Sequence, residues 1–382
     1  MLQIALTFAI VSNALFIVEQ RIERMSKPTG MVESNLLTVQ YDWAGVDPKA
    51  IPSLTKADLL TLRALPGVED ATQTESYPLS GDASTEGIRL NPSARDPITL
   101  AAEYFTDDHA LATMGARLIA GRNFRRDEIG FFDPTKITSP AEVIITKALA
   151  DKVYPDGSAL GKPIYIGNSS PSPSTVIGIV GLLQAPYPAA NFVDDVVLIP
   201  ALLSSNGGNY LIRSNPGRLA AVTKEVRAAL IKLDRMRVIK IRPFDVVREQ
   251  AYKGDRGMAI LMTTICIILL MVTTAGIVGL TSFWVGQRRK QIGVRRALGA
   301  TQRDILSYFL TENLLIVLGG IALGVVLAIS LSLWMIYHFE MGMISSKYLL
   351  VGMALLLLLG QGAVLVPALR ASRASPIEAI RA

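Results

Sequence analysis

The chain has 382 residues, of which half are hydrophobic and 18% are charged, and its mean hydropathy is +0.38. This balance excludes an ordinary soluble enzyme and is typical of a membrane protein. The net charge of +6 comes from two short basic segments, so it does not indicate nucleic-acid binding.

Four apolar stretches meet or approach the length of about 20 helical residues that a bilayer requires. We therefore predict an α-helical membrane protein with four transmembrane helices, with this order of parts: helix 1–21, exterior domain 22–255, helix 256–285, cytoplasmic loop or helix 286–313, helix 314–338, short outer loop 339–347, helix 348–368 and cytoplasmic tail 369–382. The first stretch is predicted to be an uncleaved anchor, because nothing basic precedes it and no small-residue cleavage site follows. The true polypeptide is expected to start before Met1.

The segment 22–255 has normal charge and enough residues to bury a core of its own. Leucine and valine recur at three- and four-residue spacing over 219–233, which predicts a helix, and a second helix is predicted at 56–64. Strands are predicted at 36–41, 143–145, 163–166, 175–180, 193–199 and 238–241. Strands separated by helices indicate a mixed α/β extracytoplasmic domain, which we predict to have two subdomains.

Metal and cofactor sites are not predicted. His109 and His338 lie far apart, and Cys266 lies within a predicted span, where we interpret it as a small apolar residue. The stretch 157–163 resembles a phosphate-binding loop, but it is one residue short between its glycines and has Pro163 where Ser or Thr is required. We interpret it as a turn that leads into the strand 163–166.

Three adjacent carboxylate pairs are interpreted as surface residues, because nothing near them selects an acid or base role: Asp107 with Asp108, Asp127 with Glu128, and Asp194 with Asp195. The sequence therefore predicts a non-catalytic protein with no directly bound cofactor.

Lysine and arginine set the predicted orientation, since short basic loops stay in the cytoplasm. The loop 286–313 and the tail 369–382 hold nine basic residues against Asp304, Glu312 and Glu378, a surplus as large as the net charge of the whole chain. Both termini and the loop are therefore predicted to be cytoplasmic, and residues 22–255 to lie outside.

Within this loop, apolar residues alternate with arginines over 287–305, QRRKQIGVRRALGATQRDI, which we call the basic segment. The pattern suits a short amphipathic helix at the inner membrane face. One interpretation is a loop that only sets topology. The other is a rigid helix that transmits force from a cytoplasmic partner.

The basic segment closely resembles the cytoplasmic loop of the FtsX/MacB family of ABC transporter permeases, and the tail 367–381, PALRASRASPIEAIR, resembles the ending of that family. The stretches GARLIAGRNF at 115–124, VIITKALA at 143–150, GSALGK at 157–162 and TVIGIVG at 175–181 are similar to MacB-like periplasmic core domains.

The resemblance implies a dimeric permease of the bacterial inner membrane whose loop docks on an ABC-type ATPase. The docking residues would be Ile292, Gly293, Val294, Arg295, Arg296, Ala297, Leu298, Gly299 and Ala300. Movement would pass to the exterior domain along stalk segments at 19–25 and 244–256, a mechanism called mechanotransmission. Unlike MacB, this sequence has no ATP-binding domain before its first span, so a separate ATPase chain that holds ATP and Mg²⁺ is expected.

Two features of the predicted spans concern packing. Gly320 and Gly324 have the small-xxx-small spacing that lets helices approach closely, and they could contact a second permease chain. Glu312 is expected to lie at the inner membrane interface near Arg303, whereas Gln361 must point at protein or the interface.

We therefore predict the permease subunit of a MacB-like ABC transporter that exports a peptide, antibiotic or lipoprotein-like substrate. Its partners would be an ABC-type ATPase, a second permease chain that is identical or related, membrane lipid and a periplasmic adaptor protein, without nucleic acid. The alternatives are an FtsX-like regulator of periplasmic enzymes and a ligand-binding membrane receptor. The receptor is disfavoured because the predicted cytoplasmic segments are short.

Overall fold

A computed structural model describes residues 1–132, 139–167, 172–339 and 342–372. The chain forms two compact units. The helical unit comprises Met1–Met25 and Gly254–Ala382, and the globular unit comprises Ser26–Lys253. The predicted tail residues 373–382, with Glu378 and two of the arginines, lie outside the described residues.

The helices are α1 Leu2–Ser26, α2 Ile51–Arg63, α3 Ala110–Met114, α4 Lys147–Val153, α5 Leu219–Leu233, α6 Phe244–Ala251, α7 Lys253–Gln287, α8 Arg289–Ala297, α9 Gln302–Phe339 and α10 Ser346–Ser372. The strands are β1 Leu36–Trp43, β2 Val68–Thr74, β3 Thr85–Arg89, β4 Thr99–Thr106, β5 Leu118–Gly121, β6 Gly130–Phe132, β7 Glu142–Thr146, β8 Pro163–Ile166, β9 Ser174–Val180, β10 Val196–Leu203, β11 Gly207–Ser214 and β12 Arg237–Pro243. A 3-10 turn covers Arg126–Glu128.

A smaller sheet in the globular unit has the strand order β12-β1-β11-β2. Helices α2 and α5 contribute to its core: Val222, Val226 and Leu230 of α5 are fully buried beside residues of β1 and β11. Their three- and four-residue spacing places them on one helix face. The sequence pattern therefore predicted both ends of α5.

A larger sheet has the order β4-β3-β8-β9-β7-β10-β6, and β4 also pairs with β10. Six of these strands consequently form a closed ring, which leaves fewer open strand edges than a flat sheet. The core of this part includes Val143 and Ile145 of β7, Val176 of β9 and Val197 of β10, all fully buried. Two sheets with separate cores confirm the predicted mixed α/β domain of two subdomains.

Two of the carboxylates predicted to be surface residues are buried. Asp107 accepts hydrogen bonds from Arg63 (2.5 Å) and Thr72 (2.6 Å), and Asp195 accepts one from Lys152 at 2.6 Å. Their exposed fractions are 4% and 0%. The prediction was wrong for these two residues because distant partners, which local composition does not reveal, compensate the loss of water.

The strand predicted at 193–199 begins later, at Val196. The backbone N–H groups of Val193 and Asp195 donate to Ala190 O (3.2 Å) and Phe192 O (2.9 Å), so the chain turns at the residues predicted to begin the strand. By contrast, the stretch 157–162 is a turn that leads into β8, as predicted.

In the helical unit, four helices among the described residues are long and apolar enough to cross a membrane: α1, α7, α9 and α10. This result confirms the predicted number of spans. Helix α9 begins at Gln302, so the predicted boundary at residue 314 lies inside a continuous helix. The predicted stalk at 244–256 is interrupted, because α6 ends at Ala251 and α7 begins at Lys253.

Helix α1 lies at the centre of the helical unit. Half of its apolar window is buried, compared with 11% for α7 and 28% for α9. Its Ile4 and Phe8 share a core with Val317 and Ile321 of α9. Asn13 adds polar contacts, since its side-chain amide donates to Ala328 O of α9 at 3.2 Å.

Candidate functional site

The basic segment folds as α8, a tight connection and the first turn of α9. Ile292 fixes α8 to the rest of the unit: only 7% exposed, it packs with Ile305 and Phe309 of α9 and with Val364 and Ala368 of α10. Gly293, beside it, is also buried. The predicted amphipathic helix therefore has an inward face that α9 and α10 hold in place.

The outward side of α8 exposes apolar residues. Val294 is 52% exposed and Leu298, just after the helix, is 82% exposed. Arg295, Ala297 and Gly299 are also exposed, whereas Ala300 is half-buried. The nine predicted docking residues therefore do not share one face; the side chain of Arg296 lies outside the described residues. An exposed apolar pair beside arginines is suited to bind another protein.

The turn between α8 and α9 is built from specific backbone contacts. Gly299 has φ +100, a conformation that favours glycine, and the N–H of Ala300 donates to Arg295 O at 3.0 Å, which closes the end of α8. Asp304 then accepts from the N–H (2.9 Å) and hydroxyl (2.7 Å) of Thr301, so the two residues cap the start of α9. These contacts fix the angle at which α8 meets α9.

Arginines and an aromatic ring brace the same corner. The Arg288 guanidinium donates to Glu312 and to the Tyr308 hydroxyl, both at 3.0 Å. On the other side, Cζ of Arg295 lies 5.1 Å from the centre of the Tyr308 ring. Glu312 was predicted to lie near Arg303, but its partner is Arg288. The chain turns at the corner, which places the end of α7 beside the first turns of α9.

A groove of about 160 Å³ lies between α8 and α9. Arg288, Ile292 and Arg295 line it from the α8 side, and Asp304 and Tyr308 line it from α9. Arg288, Tyr308 and Glu312 were not predicted to be members of this site. Their sequence separations of 20 and 24 residues match no local helical spacing, so no pattern in the sequence pointed to them.

Gly320 and Gly324 pack against α1 of the same chain. A Cβ on Gly320 would lie 2.8 Å from Ile4 Cβ, and one on Gly324 would lie 2.8 Å from Phe8 Cβ. The small-xxx-small spacing therefore does permit a close helix approach. Within the chain, α1 lies on this surface, and a contact of the two glycines with a second permease chain stays a prediction.

Several ionisable groups in the described part of the globular unit lie close to one another. His109 Nδ1 lies 2.8 Å from Asp70, which also approaches Arg63. Burial, with added repulsion from Glu86 and Glu75, raises the pKa of Glu103 to about 8. Among the described residues, no group of His, Cys, Asp or Glu side chains is arranged to hold a metal ion.

Comparison with known families gives two matches that together cover most of the chain. Residues 1–229, more than half of it, match the MacB-like periplasmic core domain, and residues 263–376 match the FtsX-like permease C-terminal domain. The second match contains the whole α8 corner.

Individual relatives are more distant. The macrolide export ATP-binding/permease protein MacB of Chromobacterium violaceum is 27% identical over 70% of this chain and 41% of its own length. MacB of Bartonella henselae is 26% identical over 91% of this chain and 51% of its own length. The chain thus spans about half, or less, of the curated relatives that it matches.

Among solved structures, the periplasmic region of MacB from Actinobacillus actinomycetemcomitans is similar, with 14% identity, a TM-score of 0.36 and coverage of 60% of this chain and 97% of that chain. The matched families, the four long apolar helices and the mixed α/β unit agree with one another. The chain therefore belongs to the FtsX/MacB family of ABC transporter permeases, and it is a bacterial membrane protein.

Proposed function

We propose that this chain is the membrane-spanning subunit of a MacB-like ABC transporter. ATP hydrolysis by an ABC-type ATPase on a separate chain, which holds ATP and Mg²⁺, drives a conformational change in the globular unit. The movement passes through helices, so the mechanism is mechanotransmission. The exported substrate is a peptide, an antibiotic or a lipoprotein-like molecule.

The construction of the α8 corner is the observation that carries this proposal. Ile292 holds α8 against α9 and α10, while Val294 and Leu298 remain exposed on the outward side. A partner that binds this apolar pair would push on a short helix whose angle to α9 is fixed by the Gly299 turn and the Thr301 cap. Displacement of α8 would therefore pass to α9 rather than be absorbed by a flexible loop.

Charge supports the orientation in this proposal. The basic residues around α8 retain that end of the helical unit in the cytoplasm. Because α7 crosses the membrane once between the globular unit and α8, the globular unit then lies in the periplasm and both chain termini are cytoplasmic.

The names of the relatives, which describe ATP-binding/permease proteins, support an ATPase partner. In our proposal the ATPase binds the outward side of α8, a second permease chain, identical or related, completes a dimer in the membrane, and a periplasmic adaptor can engage the globular unit. This chain itself acts without catalysis.

Co-purification tests the docking surface. The tagged chain is purified from native membranes in mild detergent, and its partners are identified by mass spectrometry. Leu298→Glu places a charge in the centre of the exposed apolar surface, so we expect it to abolish recovery of an ABC-type ATPase. Leu298→Met retains apolar area and is expected to recover the ATPase as the unmodified chain does.

A folding control and two contrary outcomes complete the test. Equal membrane insertion of both variants, measured by protease protection of the globular unit, excludes a folding defect. Recovery of no ATPase from the well-solubilised unmodified chain would contradict the proposed function. Equal recovery with Leu298→Glu would show that the ATPase binds elsewhere.

A further inference from the structure

Helices α1 and α7 lie antiparallel and are in contact along much of α1. Near the start of α1, the Gln3 side-chain amide donates to Val272 O at 3.2 Å, and the Thr7 and Thr273 hydroxyls lie 2.7 Å apart. Further along, Ala14 and Cys266 share one buried cluster. From Thr7 to Arg21 along α1, the contacted residue falls from Thr273 to Asp255 along α7, which shows that the two helices run in opposite directions.

At the far end of this contact, one carboxylate receives two arginines. Asp255 Oδ1 lies 2.5 Å from Arg21 Nη1 and 3.3 Å from Arg24 Nη1. The Asp255 side chain is only 12% exposed, so this pair is less screened by water than an ordinary surface pair. Arg21 and Arg24 are one turn apart on α1, and they approach Asp255 from the same side.

Asp255 is the sole acidic residue in the sequence of α7, Lys253–Gln287. The contact between Thr7 and Thr273 and the contact between Arg21 and Asp255 are about 20 Å apart along α1, at about 1.5 Å per residue. Between them the contacts are apolar. In a bilayer, apolar helix faces gain little free energy by packing against each other instead of against lipid. Apolar contacts alone therefore oppose sliding of one helix along the other only weakly.

We infer that Asp255 is a positioning residue. Its ion pairs with Arg21 and Arg24 lock α1 and α7 in register, so the two helices carry nucleotide-driven movement as one body. This inference rests on the proposed function, because that function supplies the movement. The inference adds a contact that keeps α1 and α7 from sliding past each other. This contact lies near the ends of the helical unit's two segments, where the chain passes to the globular unit.

A second ion pair on α1 provides a comparison. Glu19 Oε1 lies 2.7 Å from Lys347 Nζ at the start of α10, and both side chains are well exposed. This contact joins α1 to a different helix and is more strongly screened. Removing it should therefore leave the register of α1 and α7 unchanged.

The test uses a thiol crosslink between the native Cys266 and Ala14→Cys, which lie level in the α1–α7 contact. The rate of oxidative crosslinking is measured in the full chain with its co-purified ATPase, at rest and after trapping with Mg-ATP and vanadate. Three variants are compared with the unmodified register: Asp255→Asn, the matched control Glu19→Gln, and a charge swap that combines Asp255→Lys with Arg21→Glu and Arg24→Glu.

We expect Asp255→Asn to slow crosslinking several-fold, with the larger loss in the trapped state. Glu19→Gln should crosslink at the unmodified rate, and the charge swap should restore that rate, which a merely misfolded variant would not do. An unmodified rate for Asp255→Asn in both states would overturn the inference.

The two proposals fail in different ways. The resting crosslink requires no ATPase, so slower crosslinking of Asp255→Asn at rest supports the locked register even if no ATPase is recovered. A missing ATPase counts against the proposed function alone.

Discussion

Glu103 of β4 should make the stability of the globular unit depend on pH. Its side chain is 8% exposed, and burial, followed by repulsion from Glu86 and Glu75, raises its pKa from 4.5 to about 8. The Glu75 carboxylate accepts a hydrogen bond from the Ser84 hydroxyl at 2.9 Å and adds negative charge nearby. Replacing Glu103 by glutamine keeps the size and polarity of the side chain but removes its ionisation.

The raised pKa fixes the sign of the effect. The folded chain retains a proton on Glu103 that the unfolded chain has released, so the stability that this proton confers is complete below about pH 4.5 and is lost as the pH rises toward about 8. One pKa unit corresponds to about 1.4 kcal/mol, which gives a loss of roughly 3 kcal/mol between about pH 5.5 and about pH 8.5. Glu103→Gln should not show this loss.

The assay is urea unfolding of residues 26–253, followed by tryptophan fluorescence at both pH values for the unmodified unit and Glu103→Gln. The quantity of interest is the difference in unfolding free energy between the two proteins, since other carboxyl groups titrate equally in both. We expect Glu103→Gln to gain relative stability at the higher pH. A difference that stays constant with pH, or that changes in the opposite direction, would refute the reasoning.

Three further substitutions have expected effects on stability. Gly324→Val should destabilise the helical unit by about 1–3 kcal/mol, because its Cβ would lie 2.8 Å from Phe8 Cβ; the melting temperature of the full chain in detergent measures this. Asp58→Ala should cost the globular unit about 3–5 kcal/mol in urea unfolding, because it leaves the fully buried Arg237, 2.6 Å away, without its partner. Gly115→Ala should cost more than about 1 kcal/mol in the same assay, because φ at this position is +68.

Each of these substitutions has a matched control. A Cβ on Gly362 meets nothing within 4 Å, so Gly362→Val should leave the melting temperature nearly unchanged. Asp151→Ala breaks an exposed pair with Lys147 and should have a much smaller effect than Asp58→Ala. Gly217 has φ +77 and open space, whereas a Cβ on Gly115 would lie 2.7 Å from Val32 Cγ2. Equal losses at the two glycines would therefore contradict a steric contribution from Val32.

Helix faces and membrane spans could be predicted from the sequence because each depends on residues that are close together in the chain. The spacing of Val222, Val226 and Leu230 predicted one buried helix face, and long apolar runs predicted four spans, since a helix face and a bilayer crossing each depend on nearby residues. The basic segment predicted α8 for the same reason. The inward position of Ile292 and the outward position of Leu298 required the structure, because they depend on where α9 and α10 pack.

Side-chain partners that are distant along the chain could not be predicted from the sequence. Asp195 looked like a loop residue, yet its carboxylate meets Lys152 and Thr99 from other parts of the chain. Glu312 pairs with Arg288 only because the corner of α8 returns the chain on itself. The spacing of Gly320 and Gly324 predicted a close helix approach but not its partner, because α1 lies more than 300 residues earlier in the chain.

The central position of α1 has a consequence for the order in which the protein is made. Ribosomes make α1 before α7, α9 and α10, and the carbonyl of Ala328 that receives the Asn13 amide is synthesised about 300 residues later, with α9. Until then, Asn13 has its local bond to Ala9 O at 2.9 Å as an alternative to lipid. Of the four long apolar helices, the one made earliest is thus among the last to reach its native surroundings, and the globular unit is complete before the helical unit can close around α1.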